Sequence, residues 1–106
     1  MNKDIKKMLK IYKTIDRDWL GFKINKKDIL TRHHIIKKVH WEINDISNYA
    51  ILTEQSHQLL HKIENENLSL YNELNRLFMK LNQSQQPVTE EYYEEVSKVL
   101  KRGGLK

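Results

Sequence analysis

The chain is expected to fold as a mostly helical α+β domain, and three observations carry that expectation. Apolar residues recur at three- and four-residue steps near both ends. Two short β-like runs occupy the middle of the chain. Thr53 and Thr89 stand as capping residues just before two further helical patterns. With 106 residues and 12.8 kDa there is room for one domain, 1–106. Its expected parts are an amphipathic basic helix within 1–20, a core of two short antiparallel strands and a helix over 29–64, and a C-terminal helical pair over 66–102.

The first helix is predicted from Asn2 to Asp18, because Ile5, Met8, Leu9, Tyr12, Ile15 and Trp19 mark one apolar face. Lys3, Lys6, Lys10, Lys13 and Arg17 follow the same period on the opposite face. That face reads either as the solvated cover of a packed helix or as a ridge that tracks phosphates. Gly21 breaks the pattern, and Phe22 to Ile24 suits a short extended piece. A β-like run from Ile29 to Val39 follows, then a polar loop from Lys38 to Asn48. Tyr49 to Thr53 reads as a second strand, and Thr53 caps a helix over Glu54 to Glu64. Leu70, Tyr71, Leu74, Leu77, Phe78 and Leu81 give the next helix its apolar stripe. Asn82 to Pro87 reads as a linker, since proline and small polar residues end helices. Thr89 opens a last helix with Glu90 and Glu91 in its first turn, where the helix dipole favours them, and Gly103 and Gly104 close it.

Composition narrows the chemistry. Without cysteine, disulfides, thiolate zinc sites and cysteine nucleophiles are excluded. No apolar run approaches the roughly twenty residues that cross a bilayer, so no membrane contact is expected. Residues 1–50 hold twelve Lys/Arg against six Asp/Glu, and the remainder holds seven against eight, giving a net charge of +5. A basic first half suits a nucleic acid or another anionic partner. Fifteen Lys, eleven Ile and nine Asn also suggest an AT-rich coding bias. The expected setting is the cytoplasm of a bacterium or a phage-infected cell.

All five histidines lie between residues 33 and 61. His57 and His61 are four apart on a predicted helix, so they share a face about one turn apart and suit a common metal ion. His33 and His34 are adjacent on a predicted strand, where neighbouring side chains point to opposite faces, so they should do different jobs.

Three segments together carry a resemblance: Arg32-His33-His34-Ile35-Ile36, Asn48-Tyr49-Ala50-Ile51-Leu52, and Ser56-His57-Gln58-Leu59-Leu60-His61. The order His-His, thirteen residues, Asn, eight residues, His, three residues, His resembles the HNH nuclease motif, the ββα-metal fold, with spacing similar to the nuclease domains of DNA-cleaving colicins. It covers about residues 30–64. The resemblance implies one divalent metal ion held by His33, His57 and His61. It further implies His34 as the general base that deprotonates water, and Asn48 as the residue that ties the loop down and orients that base. Members of the family cleave phosphodiester bonds and generally leave a 5′-phosphate and a 3′-hydroxyl. Zinc, nickel, manganese or magnesium could serve, with imidazole ligands binding magnesium least tightly. Arg32, Lys37, Lys38, Lys6, Lys10 and Lys13 would then contact DNA phosphates.

The residue types agree with that chemistry. Phosphodiester hydrolysis needs an activated water, neutralised charge on the phosphate and help for the leaving oxygen. An imidazole, titrating near neutrality, can take the water's proton. The chain also departs from the family. His40-Trp41-Glu42 stand where many members have two glycines, and Trp41 is expected to pack there. Thr31 stands where colicins have a carboxylate. Taken singly, His57 and His61 read as surface helix residues, His33 and His34 as strand residues, and Asn48 as a turn residue; it is their joint order that favours a metal site. The leading expectation is a small HNH endonuclease of phage or mobile-element type. The alternative is an HNH-like protein recruited as an inhibitor or regulator that docks on a host protein or nucleoprotein complex.

Overall fold

The computed structural model describes residues 2–14, 16–37 and 45–105. Among them the fold is α+β, with four helices and one two-stranded antiparallel sheet. The order is α1 (Lys3–Tyr12), β1 (Leu30–His34), a 3₁₀ turn (Ile46–Asn48), β2 (Tyr49–Thr53), α2 (Glu54–Glu66), α3 (Leu68–Ser84) and α4 (Glu90–Arg102). In the sheet His33 pairs with Ala50 and His34 with Tyr49. Helix α1 packs on β1, α2 and α3 pack against the sheet, and α4 lies against α3. The fully buried centre holds Met8, Trp19, Leu20, Ile51, Leu52, Leu60, Leu74, Phe78, Val96 and Leu100.

Helix α1 is shorter than its apolar period predicts. The Asn2 side chain accepts from the Asp4 and Ile5 amides at 2.8 and 3.2 Å and caps the start. Lys13 adopts the left-handed conformation at φ 56° and stops the helix, giving its amide to the Leu9 carbonyl. Ile15, expected on the apolar face, lies outside the described residues. Farther on the chain turns back on itself: Arg17 pairs with Lys23 in an isolated β-bridge, and the Gly21 amide reaches the Asp18 carbonyl with Gly21 at φ 90°. The helix fails to reach Asp18 because that carboxylate, fully buried, is committed elsewhere. Its Oδ1 accepts from the Leu20 and Phe22 amides, and its Oδ2 accepts from the Thr53 amide and hydroxyl. Short acidic side chains that bond backbone amides in this way compete with helix. The basic face is accordingly cut back. Lys13 is the cap, and Arg17 lies outside the helix, ion-paired with Glu90 and 3.9 Å over the Tyr93 ring.

The first strand also ends early, at His34 rather than Val39. The Ile35 amide bonds the Asn48 carbonyl at 2.9 Å, and beyond Lys37 the expectations for Lys38, Val39, His40, Trp41 and Glu42 lie outside the described residues. Strand β2 matches its predicted span and is buried throughout. Its outer edge is covered by side chains and loop: Thr53 N–H donates to Asp18, the Ile51 carbonyl accepts from the Trp19 amide at 2.9 Å, and the Tyr49 carbonyl accepts from Asn82 Nδ2 at 2.8 Å. The sequence places Asn82 in a linker; instead α3 runs on to Ser84, with Gln85 left-handed at φ 50°. Thr53 caps α2 through Ser56, Asn67 ends α2 and caps α3, and Thr89 caps α4 through Tyr92. Tyrosines tie the last helix down, since Tyr92 Oη donates to the Trp19 carbonyl and Tyr93 Oη to that of Arg17.

Candidate metal and nucleic-acid site

Strand β2 runs into α2 with no intervening residue, because Thr53 both ends the strand and caps the helix. The register of β1 against β2 therefore sets where His33 stands relative to His57 and His61. The ring centres of His33 and His57 are 5.6 Å apart, and those of His57 and His61 4.8 Å apart with nearly parallel planes. Arg32, His33, His34, Lys37, His57, His61 and Tyr71 line one open cleft of about 470 Å³.

Each histidine has a distinct environment. His33 is buried, with its ring edge-on to Tyr71 and Phe78, and its Nε2 is 2.8 Å from Asn75 Oδ1 on α3. Burial pulls its pKa down to about 4; the Asn75 bond opposes this, and nearby His57, His61 and His34 add to it. His57 is half-buried, and burial, then His61 and His34, lowers it as well. Its Nδ1 is 2.8 Å from Thr31 Oγ1. His61 is exposed, with Nδ1 3.6 Å from Glu64 Oε1. His34 is on the other face of β1 from His33 and packs its ring edge-on against Tyr49 at 5.1 Å.

Asn48 is buried at the end of the 3₁₀ turn. Its side chain holds the backbone of one residue from both sides: Oδ1 accepts from the Ile36 amide at 2.8 Å and Nδ2 donates to the Ile36 carbonyl at 2.9 Å. The segment leaving β1, two residues past His34, is thereby fixed.

The donor types suit a divalent ion, and two of the ring separations are compatible with one. Imidazoles bind metal in the neutral form, which burial favours at His33 and His57. Two imidazoles sharing one ion at about 2.1 Å have ring centres roughly 5 Å apart, close to both separations here. The set is not closed, however. Among the described residues no three His, Cys, Asp or Glu side chains are already gathered for an ion, and His33 keeps Nε2 on Asn75. His33 would join His57 and His61 through Nδ1 or by turning its ring.

The basic residues divide. Arg32 lines the cleft, with Nη1 3.5 Å from Asp4 and 3.4 Å from the Tyr49 hydroxyl. Lys37 is ion-paired with Glu64, which raises the Lys37 pKa and lowers that of Glu64, so its charge is shared within the protein. Lys6, Lys10 and Lys13 are exposed and away from the cleft lining; the first turn of their helix reaches it through the Asp4–Arg32 pair. Lys38 lies outside the described residues.

Sequence reasoning did not find Asn75, Glu64 or the role of Thr31. Each matters through a contact between elements, and none sits in a spacing that would have marked it. No helix among the described residues is long and apolar enough to cross a membrane. Compared with protein-family models, curated proteins and solved structures, the chain finds no match.

Proposed function

We propose that the protein is an HNH-type endonuclease that hydrolyses phosphodiester bonds in DNA with one divalent ion. One observation carries the reading. Histidines from β1 and α2, distant in sequence, line one cleft with His34, and Asn48 clamps the backbone beside it.

In this reading His57, His61 and His33 hold the ion. When bound, a divalent ion supplies charge neutralisation on the scissile phosphate and stabilises the leaving 3′-oxygen. His34, on the other face of the strand, accepts a proton from the attacking water. Tyr49 backs the His34 ring, and Asn48 keeps the following backbone from drifting. Arg32, at the cleft wall, holds a phosphate oxygen. Lys37 contributes there to the extent that a phosphate can compete with Glu64 for it.

The test is plasmid nicking by the metal-stripped protein with manganese, nickel, zinc or magnesium restored, beside calorimetry of the same ions. Binding of about one ion, with nicking that depends on it, is the expected result. His57→Ala should lose tight zinc binding, because it removes the ring that stands between the other two. If the wild type binds no ion and nicks nothing, the protein-docking alternative becomes the better reading.

The lysine face of α1 is a separate part of the proposal. Changing Lys6, Lys10 and Lys13 to Gln should weaken DNA binding on all sequences alike. The salt dependence should flatten by roughly 0.9 in log–log slope for each phosphate the variant no longer neutralises. Circular dichroism should be unchanged, since the buried face of α1 is Ile5, Met8 and Tyr12. An unaltered slope would assign that face to solvent.

A further inference from the structure

Thr31 has a single hydroxyl proton and two groups within reach of it, the Leu52 carbonyl and Nδ1 of His57. Its Oγ1 donates across the strand pair to the carbonyl of Leu52 at 3.0 Å, Leu52 being its register partner. The same oxygen lies 2.8 Å from Nδ1 of His57. With its proton given to Leu52, Thr31 can only accept from that nitrogen. Nδ1 of His57 then carries the ring's hydrogen, and Nε2 keeps the lone pair.

We infer that Thr31 is a positioning residue that locks His57 as its Nδ1–H tautomer and leaves Nε2 as the atom offered to a ligand in the cleft. The purpose of this arrangement rests on the metal-site reading, whereas its test does not, because the tautomer belongs to the metal-free protein. The device is needed because a free neutral histidine side chain prefers the opposite tautomer, with hydrogen on Nε2. That form would turn a donor toward the space a cation should occupy. Outer hydrogen bonds of this kind fix ring orientation and raise ligand basicity. Strand β1 thus supplies one proposed ligand, His33, and two residues earlier the group that orients a second.

The experiment is long-range proton–nitrogen correlation of the imidazole rings in metal-free, nitrogen-15-labelled protein, with wild type, Thr31→Val and Thr31→Ser compared. Zinc affinity of the same samples is measured by chelator competition. Wild-type His57 should show hydrogen on Nδ1. Thr31→Val, similar in shape but without an acceptor, should move His57 toward the Nε2–H form and weaken zinc binding on the order of 10–100-fold. Thr31→Ser should restore both. A wild-type His57 with hydrogen on Nε2 overturns the inference, and so does a folded Thr31→Val protein whose tautomer is unchanged. Should the wild type show the Nδ1–H form, and Thr31→Val lose it, while neither binds any divalent ion, the role of Thr31 stands and the metal reading falls.

Discussion

Replacing His34 by alanine is expected to reduce metal-dependent nicking by about a hundred- to ten-thousand-fold, the usual loss when a general base is removed. The variant should bind its ion as the wild type does. The geometry separates the two jobs, because His33, His57 and His61 form one chain of ring contacts, while His34 sits across the strand against Tyr49. The loss should appear in kcat with little change in KM, as expected for a group that acts in the transition state. Zinc calorimetry on the same sample provides the control. Undiminished nicking by a folded His34→Ala protein would remove His34 from the mechanism and leave the fold untouched.

The second large effect is on stability, at Asp18. Alanine there strips acceptors from the amides of Leu20, Phe22 and Thr53 and from the Thr53 hydroxyl, all around a fully buried carboxylate. Each buried donor left unpaired costs about 1–3 kcal/mol, so a loss of about 3 kcal/mol or more is expected, a large share of a small domain's stability. Urea denaturation should place the Asp18→Ala midpoint well below wild type. Asp18→Asn should cost less but still be destabilising, since whichever way the amide turns, its NH₂ meets one of the two donor pairs. The damage should extend to the cleft, because Thr53 passes the constraint on: its Oγ1 accepts from the Ser56 amide at the start of the helix that carries His57. A midpoint within error of wild type for Asp18→Ala would show that water replaces the carboxylate at no cost.

How much of the fold and the site is legible in the sequence depends on whether the signal is local. Strand β2 and the starts of α2 and α4 can be read because Thr53 and Thr89 act on amides three residues away. The His57–His61 pair can be read because four residues make about one helical turn. The end of α1 cannot. Its apolar spacing continues to Trp19, while the competing interaction joins Asp18 to Thr53, thirty-five residues on. The length of α3 is underestimated because polar Asn82, which looks like linker, is buried and spent on the carbonyls of Ile46 and Tyr49. Lys37 reads as a free cation until α2 brings Glu64 beside it. The amide of Asn75, on a helix beyond the resemblance, reaches His33 only because α3 lies against the sheet.

The covered outer edge of β2 has a consequence for misfolding. Tyr49–Thr53 is uncharged, rich in β-formers and without glycine or proline, the kind of stretch that stacks into cross-β fibrils when its edge is bare. The covers come from both ends of the chain, Asp18 and Trp19 on one side and Asn82 on the other. As the chain leaves the ribosome, Tyr49–Thr53 emerges about thirty residues ahead of Asn82. During that interval the Asp18–Trp19 turn is, among the described residues, the cover of that edge that can already be in place. The buried aspartate is thereby placed to cover the strand edge during synthesis as well as to hold the finished fold.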